Sequence, residues 1–331
     1  MFGYIIRRLI SGVLVLLTIS IAVFALFFYG PSDPALAYCP ETRCTPERLE
    51  NIRDNLGLDR PAPEQYAEYM SGIFTGREIS SGSIKIPCDA PCLGVSFKLR
   101  VDVADYLWSR FPATFSLAAG AAVVFLSLGL TIGVLAARWR GTTRDKAIVG
   151  VSLVVTAMPY YLLALLAYLY LISSWGVFPE SRYVSPIAEG PVSWIAGLLL
   201  PWCVLGLFYS TQYARFSRGA MIDTLGEDYV RTARAKGLSD RVVTLKHALR
   251  AAIVPVITIF GLDFALLLAG TIFTERIFGI QGIGLSAIQA IGTKDLPIIA
   301  ATLIIGAAFV VVSNIVVDVI YSLIDPRVRL V

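Results

Sequence analysis

Residues Glu227–Pro255 read EDYVRTARAKGLSDRVVTLKHALRAAIVP, a charged, helix-forming island set between two long apolar runs. What surrounds the island limits what it can be. The chain has 331 residues, of which 56% are hydrophobic and only 16% charged, whereas a soluble domain carries about 25% charged residues. Mean hydropathy is +0.71. A helix needs about 20 consecutive apolar residues to cross roughly 30 Å of hydrocarbon. Six stretches qualify: 9–29, 112–136, 147–172, 192–212, 251–272 and 298–322. None has the two-residue alternation of a barrel strand, and helices and closed barrels are the backbones that satisfy their own polar groups in lipid. The expected fold is an all-α polytopic membrane protein with six transmembrane helices.

Lysine and arginine placement orients these spans, because loops rich in both stay cytoplasmic. One set of loops holds Arg7, Arg8, Arg138, Arg140, Arg144, Lys146, Arg215, Arg218, Arg231, Arg234, Lys236, Arg241, Lys246, Arg250, Arg327 and Arg329. These are 16 of the 28 basic residues, set against six acids. Both termini and the island are therefore expected on the cytoplasmic side of a multi-pass protein. The net charge of +4 is modest, and nothing in the chain points to nucleic acid. The first apolar run is longer than the 7–15-residue core of a signal peptide and lacks a small-residue cleavage site, so it reads as a retained helix.

Within the island, Met221, Ile222, Leu225, Tyr229, Val230 and Ala233 recur at helical spacing. Gly226 interrupts that helix, and a second one starts near Glu227. Glu227 and Asp228 in its first turn and Lys236 in its last suit the helix dipole. Gly237 is placed to cap it in the left-handed conformation, and Ser239 to cap the next helix, from Asp240. Two uses of this short helix stay open on chemistry alone. It can lie on the membrane surface with its cations against anionic lipid, or it can dock on a soluble protein.

Residues 30–111 form one hydrophilic excursion between the first two spans, expected outside the cell as a small cap of packed helices, with a helical period from Pro46 to Met70. Four of the five cysteines lie there: Cys39, Cys44, Cys88 and Cys92. In an oxidising compartment they are disulfide candidates. Of three connectivities the local pairs Cys39–Cys44 and Cys88–Cys92 are slightly preferred. With no nearby histidine, a metal site is the weaker reading. Asp263 sits in the middle of an apolar span, where a carboxylate either lines a passage or makes an interhelical contact. Pro159, Pro201 and Pro255 are candidate kinks.

The stretch Asp228-Tyr229-Val230-Arg231-Thr232-Ala233-Arg234-Ala235-Lys236-Gly237-Leu238 resembles the cytoplasmic loop of permeases in binding-protein-dependent ABC importers, and specifically the B-type permease of the dipeptide/oligopeptide/nickel group. That loop's general signature is Glu-Ala-Ala, three residues, then Gly; here the positions read Arg231, Thr232, Ala233 and Gly237, the form usual in the peptide group. Other segments look like the same permease in the same order. They are Tyr4–Arg8 with Pro31–Ala35, Leu56–Pro61, Phe111-Pro112-Ala113-Thr114, Glu275–Gly284 and Asp318–Arg327. The departures are two outer insertions near 38–46 and 77–92, each carrying one cysteine pair.

The resemblance implies a type I ABC importer architecture: residues 1–29 as the N-terminus and first helix, 30–111 as the extracytoplasmic insertion, and 112–331 as the permease core with a cytoplasmic coupling loop at 213–250. It further implies a bacterial inner-membrane location, a second homologous permease, two cytoplasmic ATPases and an external binding protein. The chain has no phosphate loop of its own, so ATP and magnesium belong to the ATPases, and no catalytic residue, bound cofactor or metal is expected here. Glu227, Asp228, Arg231, Thr232, Ala233, Arg234 and Gly237 would couple to an ATPase, with Ala233 and Gly237 permitting close approach and Arg231 and Arg234 offering charge pairs. Asp263 is the tentative pathway residue. Peptide is the expected cargo, with nickel, glutathione or haem as alternatives. An ion-driven secondary transporter would show internal repeats, and none is evident. An intramembrane enzyme would need a nucleophile and base in the bilayer, and the one histidine, His247, lies in the island.

Overall fold

The computed structural model describes residues 2–29, 35, 44–56, 59–81, 84–96 and 98–324. Cys39, the 31–34 motif, Gly57 and Leu58, and the terminal segment from Asp325 lie outside the described residues. The helices are α1 (Phe2–Tyr29), α2 (Pro46–Leu56), α3 (Ala62–Thr75), α4 (Val103–Arg138) and α5 (Thr143–Ala157). They continue as α6 (Tyr160–Ser174), α7 (Pro191–Leu225), α8 (Asp228–Ala235), α9 (Asp240–Ala269), α10 (Ile272–Phe278), α11 (Ile283–Thr293) and α12 (Leu296–Ile324). Five of them, α1, α4, α7, α9 and α12, are long and apolar enough to cross a membrane. The third expected span is instead two helices, α5 and α6, bent by 91° at a short break. Met158 and Pro159 make that break: proline has no N–H to continue the ladder and drives the residue before it to extended backbone, here ψ 137° at Met158. Pro201 and Pro255 stay inside continuous helices.

Two boundaries differ from expectation for one reason. The helix around 112–136 starts at Val103, and the one around 192–212 runs on without a break to Leu225, joining the helical stretch expected from Met221 to the span before it. Hydropathy marks where a helix meets hydrocarbon, not where its hydrogen-bond ladder ends. At 1.5 Å per residue, α4 is about 54 Å long, well beyond the hydrocarbon core. Asp102 starts α4 by accepting the Ala104 and Asp105 N–H groups on its Oδ1 at 2.8 and 3.2 Å.

The centre of the molecule is the α4–α7 pair. A Cβ on Gly133 would lie 2.5 Å from Ser217 Cβ, and one on Gly206 would lie 2.5 Å from Val124 Cβ. Gly129 and Gly120 likewise leave room for Tyr213 and Trp202. Small residues let helix backbones approach in lipid, where apolar burial alone gives little net drive. Trp202 also donates its indole N–H to the Ser116 carbonyl at 2.9 Å. Leu117, Ala121, Phe125, Leu198, Leu205, Val256 and Phe278 complete the buried core between α4, α7, α9 and α10. Beside it, α5 is bound to α7 by a bidentate pair: Arg218 donates to Asp145 Oδ1 at 2.6 Å and Oδ2 at 2.8 Å.

Residues 44–102 contain the expected helices α2 and α3 and two small hairpins that hydropathy did not signal. β1 (Arg77–Ser81) pairs antiparallel with β2 (Ile84–Cys88), and β3 (Val95–Ser96) with β4 (Val101–Asp102). Cys88 and Cys92 form a disulfide. Cys44 is disulfide-bonded, and its expected partner Cys39 is among the residues not described. Helix α3 rests on α1 through a 2.7 Å hydrogen bond between the Ser20 and Tyr66 hydroxyls and an edge contact of Phe24 on Tyr66. Ser96 donates to Asp295, and Lys98 to the Thr293 carbonyl, which ties this region to the α11–α12 turn.

The seam predicts its own test. Gly133→Val should destabilise the purified protein by about 1–3 kcal/mol through overpacking, read as a lower melting temperature in detergent. Gly150→Val, where nothing lies within 4 Å of the new Cβ, should leave the melting temperature unchanged.

Candidate functional site

Helix α7 ends at Leu225, and the Gly226 N–H turns back to the Asp223 carbonyl at 3.1 Å. The island's first helix, α8, then begins at Asp228, with Glu227 extended before it. Asp228 in the first turn and Arg234 in the last complement the dipole. Gly237 has φ +78°. Its N–H bonds the Arg234 carbonyl at 2.9 Å, and the Leu238 N–H bonds the Ala233 carbonyl at 3.4 Å, the paired closure that needs a left-handed residue. The expected caps therefore differ in kind. Gly237 acts through backbone, whereas the Ser239 side chain makes no cap bond to the next helix.

The helix has two distinct faces. Val230 and Ala233 are buried against Leu225 and Val243, the latter from the start of α9. Ala233 is thus part of the seat that holds α8 on its own chain, and its small side chain permits close approach to Val243 of α9. Asp228 and Arg231 point away, with 96% and 71% of their side chains exposed. Glu227, Thr232 and Arg234 are exposed as well, and so are the apolar Tyr229 and Leu238. Burial, then the neighbouring Glu227 charge, pushes the Tyr229 phenol above its ordinary value. Tyr229 shares the apolar helical spacing of Val230 and Ala233 and so read as core, yet it sits at the edge of that stripe and is exposed, as is Leu238 beyond the helix end. At Gly237, nothing lies within 4 Å of where a Cβ would sit, so a side chain there projects outward.

Asp240 ties this helix to the transmembrane bundle. Its Oδ2 accepts from Arg138 at the end of α4 at 3.2 Å, and its Oδ1 lies 3.5 Å from Arg234. The three side chains are about half exposed, so each pair contributes little stability; what they provide is contact between α8, α9 and α4.

A second polar node lies near the start of α4. Glu275 on α10 is fully buried. Thr114 and Thr271 donate to its Oε1 at 2.8 and 3.2 Å, and the Leu285 N–H donates to its Oε2 at 2.7 Å. Burial raises its pKa, opposed by these hydrogen bonds. Thr114 in turn accepts the Ile283 N–H at 2.9 Å. A Cβ at Gly282 would meet the Glu275 carboxylate, 2.5 Å from Oε1. The Phe111–Thr114 and Glu275–Gly284 motifs are therefore two halves of one hydrogen-bonded unit. Asp263, on α9, accepts the Tyr213 hydroxyl on Oδ2 at 2.9 Å, which is an interhelical contact between α9 and α7.

Two family models match the chain. Residues 1–118 match the N-terminal part of the binding-protein-dependent transport system membrane component, and residues 129–330 match the binding-protein-dependent transport system inner membrane component. The chain belongs to this family. It is accordingly a multi-pass inner-membrane transport component, in line with its apolar helices. Among curated relatives, a putative peptide transport system permease protein of Brucella abortus is 34% identical over 329 residues, covering 99% of each chain. A probable peptide ABC transporter permease of Sinorhizobium fredii is 34% identical over 328 residues, covering 98% of this chain and 99% of its own. The dipeptide transport system permease DppB of Escherichia coli K12 is 32% identical over 351 residues, covering 99% of both.

Two outcomes follow for this permease. Glu275→Ala removes the acceptor for three buried donors, each costing about 1–3 kcal/mol when left unsatisfied, so it should melt well below Thr114→Val. Ala233→Trp should unseat α8 from Val243 and speed proteolytic cleavage within residues 226–239 of the purified protein.

Proposed function

We propose that this chain is the permease subunit of an ATP-driven peptide importer, forming half of a translocation pathway for cargo delivered by an external binding protein. On this reading it pairs with a second homologous permease, and two ATPase subunits carry the ATP and magnesium. The observation that carries the coupling role is the two-sided α8: locked to its own chain by Val230 and Ala233, and open on a face bearing Asp228, Tyr229, Arg231 and Thr232. That side carries acids at its start, Glu227 and Asp228, and cations further on, Arg231 and Arg234, a mixed charge that suits a protein groove better than anionic lipid, where the acids would be repelled. The relatives' names favour peptide over nickel, glutathione or haem.

In this mechanism the ATPase dimer closes on ATP and pushes the exposed face of α8. The push passes through the Val243 seat into α9, rocking the spans as rigid bodies, while the Arg234–Asp240–Arg138 cluster keeps α8 and α4 in contact. By the distribution of lysine and arginine, α8 and both termini face the cytoplasm, and the 30–111 segment, with its disulfides, faces out.

The test uses Gly237. Gly237→Ala imposes backbone strain of about 1 kcal/mol without bulk, whereas Gly237→Trp adds bulk in the outward direction. Alanine should retain most uptake; tryptophan should abolish ATP-dependent uptake at an unchanged membrane level of the permease. Wild-type uptake by the tryptophan variant would remove α8 from the coupling interface, and uptake that survives ATP depletion would favour an ion-driven carrier.

A further inference from the structure

We infer that the cleft between Arg110 and Arg182, at the end of the protein opposite α8, is an anion site that receives an acidic side chain of the external binding protein. This rests on the importer reading above and names one docking contact of that partner. The cleft has a volume of about 270 Å³ and is lined by Ser109, Arg110, Arg182, Tyr183, Gly279 and Gln281. Three elements meet there: α4, the α6–α7 loop and the α10–α11 turn. Arg110 lies 28 residues before Arg138, about 42 Å along α4 at 1.5 Å per residue. Arg138 contacts Asp240 beside α8, and the separation exceeds the roughly 30 Å of hydrocarbon. The cleft therefore opens at the far membrane surface.

Its walls are fixed by the chain itself. Arg110 lies over the Tyr106 ring at 5.2 Å and donates to Gln281 Oε1 at 3.1 Å. Gln281 belongs to the turn that Thr114 and Glu275 hold. In the α6–α7 loop, the Arg182 N–H donates to the Gly197 carbonyl at 3.2 Å, and Phe178 and Tyr183 pack on the core. The Arg182 side chain is 68% exposed and has Glu189 at 3.5 Å. Such an exposed pair is weak, so an incoming acid can displace Glu189. Two guanidiniums on separate elements, with the neutral Ser109, Tyr183 and Gln281 around them, suit a carboxylate, whose planar oxygens match the arginine fork.

The direction of the cleft selects a protein acid over a lipid phosphate. Trp108 and Phe115, 72% and 45% exposed, lie seven residues apart on one stripe of α4, as aromatic residues at a membrane interface do. Arg110, two residues after Trp108, lies about 200° around the helix from it. It shares its side with Thr114, one turn further on, which bonds the buried Glu275. The arginine thus points away from the stripe that meets lipid.

The experiment measures the affinity of the purified external binding protein, loaded with dialanine, for the assembled transporter in detergent. Wild-type affinity should fall as salt rises. Arg182→Gln keeps the backbone bond to Gly197 and should weaken binding about tenfold, the effect of one charge-assisted hydrogen bond; Arg110→Gln should do the same. Glu189→Gln removes the competing carboxylate and should tighten binding, a gain that damage to the fold would not produce. Wild-type affinity in Arg182→Gln, or no gain in Glu189→Gln, overturns the site. Phosphatidylglycerol that raises the melting temperature of wild type but not of Arg182→Gln, at unchanged docking, would also overturn it by making the cleft a lipid site. So would intact docking in Arg182→Gln with a lost preference for dialanine over its amide, because the cleft would then read cargo. Absence of both docking and ATP-dependent uptake in wild type would instead sink the importer reading itself.

Discussion

The structure depends on the close approach of α4 and α7. In hydrocarbon there is no water to drive helices together, so their association relies on backbone proximity and on hydrogen bonds between them. Gly129 and Gly133 on α4 and Gly206 on α7 provide the proximity, and the Trp202–Ser116 bond fixes register. Once these two helices are set, the other elements have a surface to dock on. Helix α5 attaches through Asp145 and Arg218, and α9 through Val256, Asp263 and the aromatic cluster around Phe125.

The same seam makes α4 a rod between two polar nodes. About three turns into it, Thr114 donates to the buried Glu275 and holds the α10–α11 turn. At its last residue Arg138 reaches Asp240, which also contacts Arg234 of α8. The nodes differ in strength. The Glu275 bonds are buried and mutually supporting, so breaking one leaves unsatisfied groups. The Asp240 pairs are half exposed and exchange readily with water. A firm node at one end and a yielding one at the other suit a helix that must stay folded while α8 moves.

Much of this was legible beforehand, for identifiable reasons. Long apolar runs declare membrane helices because lipid leaves the backbone few alternatives. Gly226 and Gly237 bracket α8: at Gly237 (φ +78°) a left-handed turn selects glycine by sterics local to that residue, whereas Gly226 (φ −79°) ends α7 in a conformation any residue adopts. The break at Pro159 was flagged as a kink, yet its 91° bend turned one expected span into two helices. The inward direction of Ala233 was not visible in advance. A small residue marks a close contact without saying with which surface, and only the packing of Val243 assigns it to the chain itself. The hairpins at 77–102 were missed because their strands are two to five residues long, too short for a periodic signal.

By itself the sequence determined that this is a helical membrane protein with a charged, glycine-bounded helix between two spans, since hydropathy, charge placement and turn chemistry act over neighbouring residues. Only the tertiary structure decided that Glu275 and Thr114, 161 residues apart, share one buried node, and that Asp263 on α9 accepts from Tyr213 on α7. It also decided which face of α8 is free. Those outcomes depend on which helices meet and at what rotation, and that is set by glycine gaps and side-chain volumes contributed from distant parts of the chain.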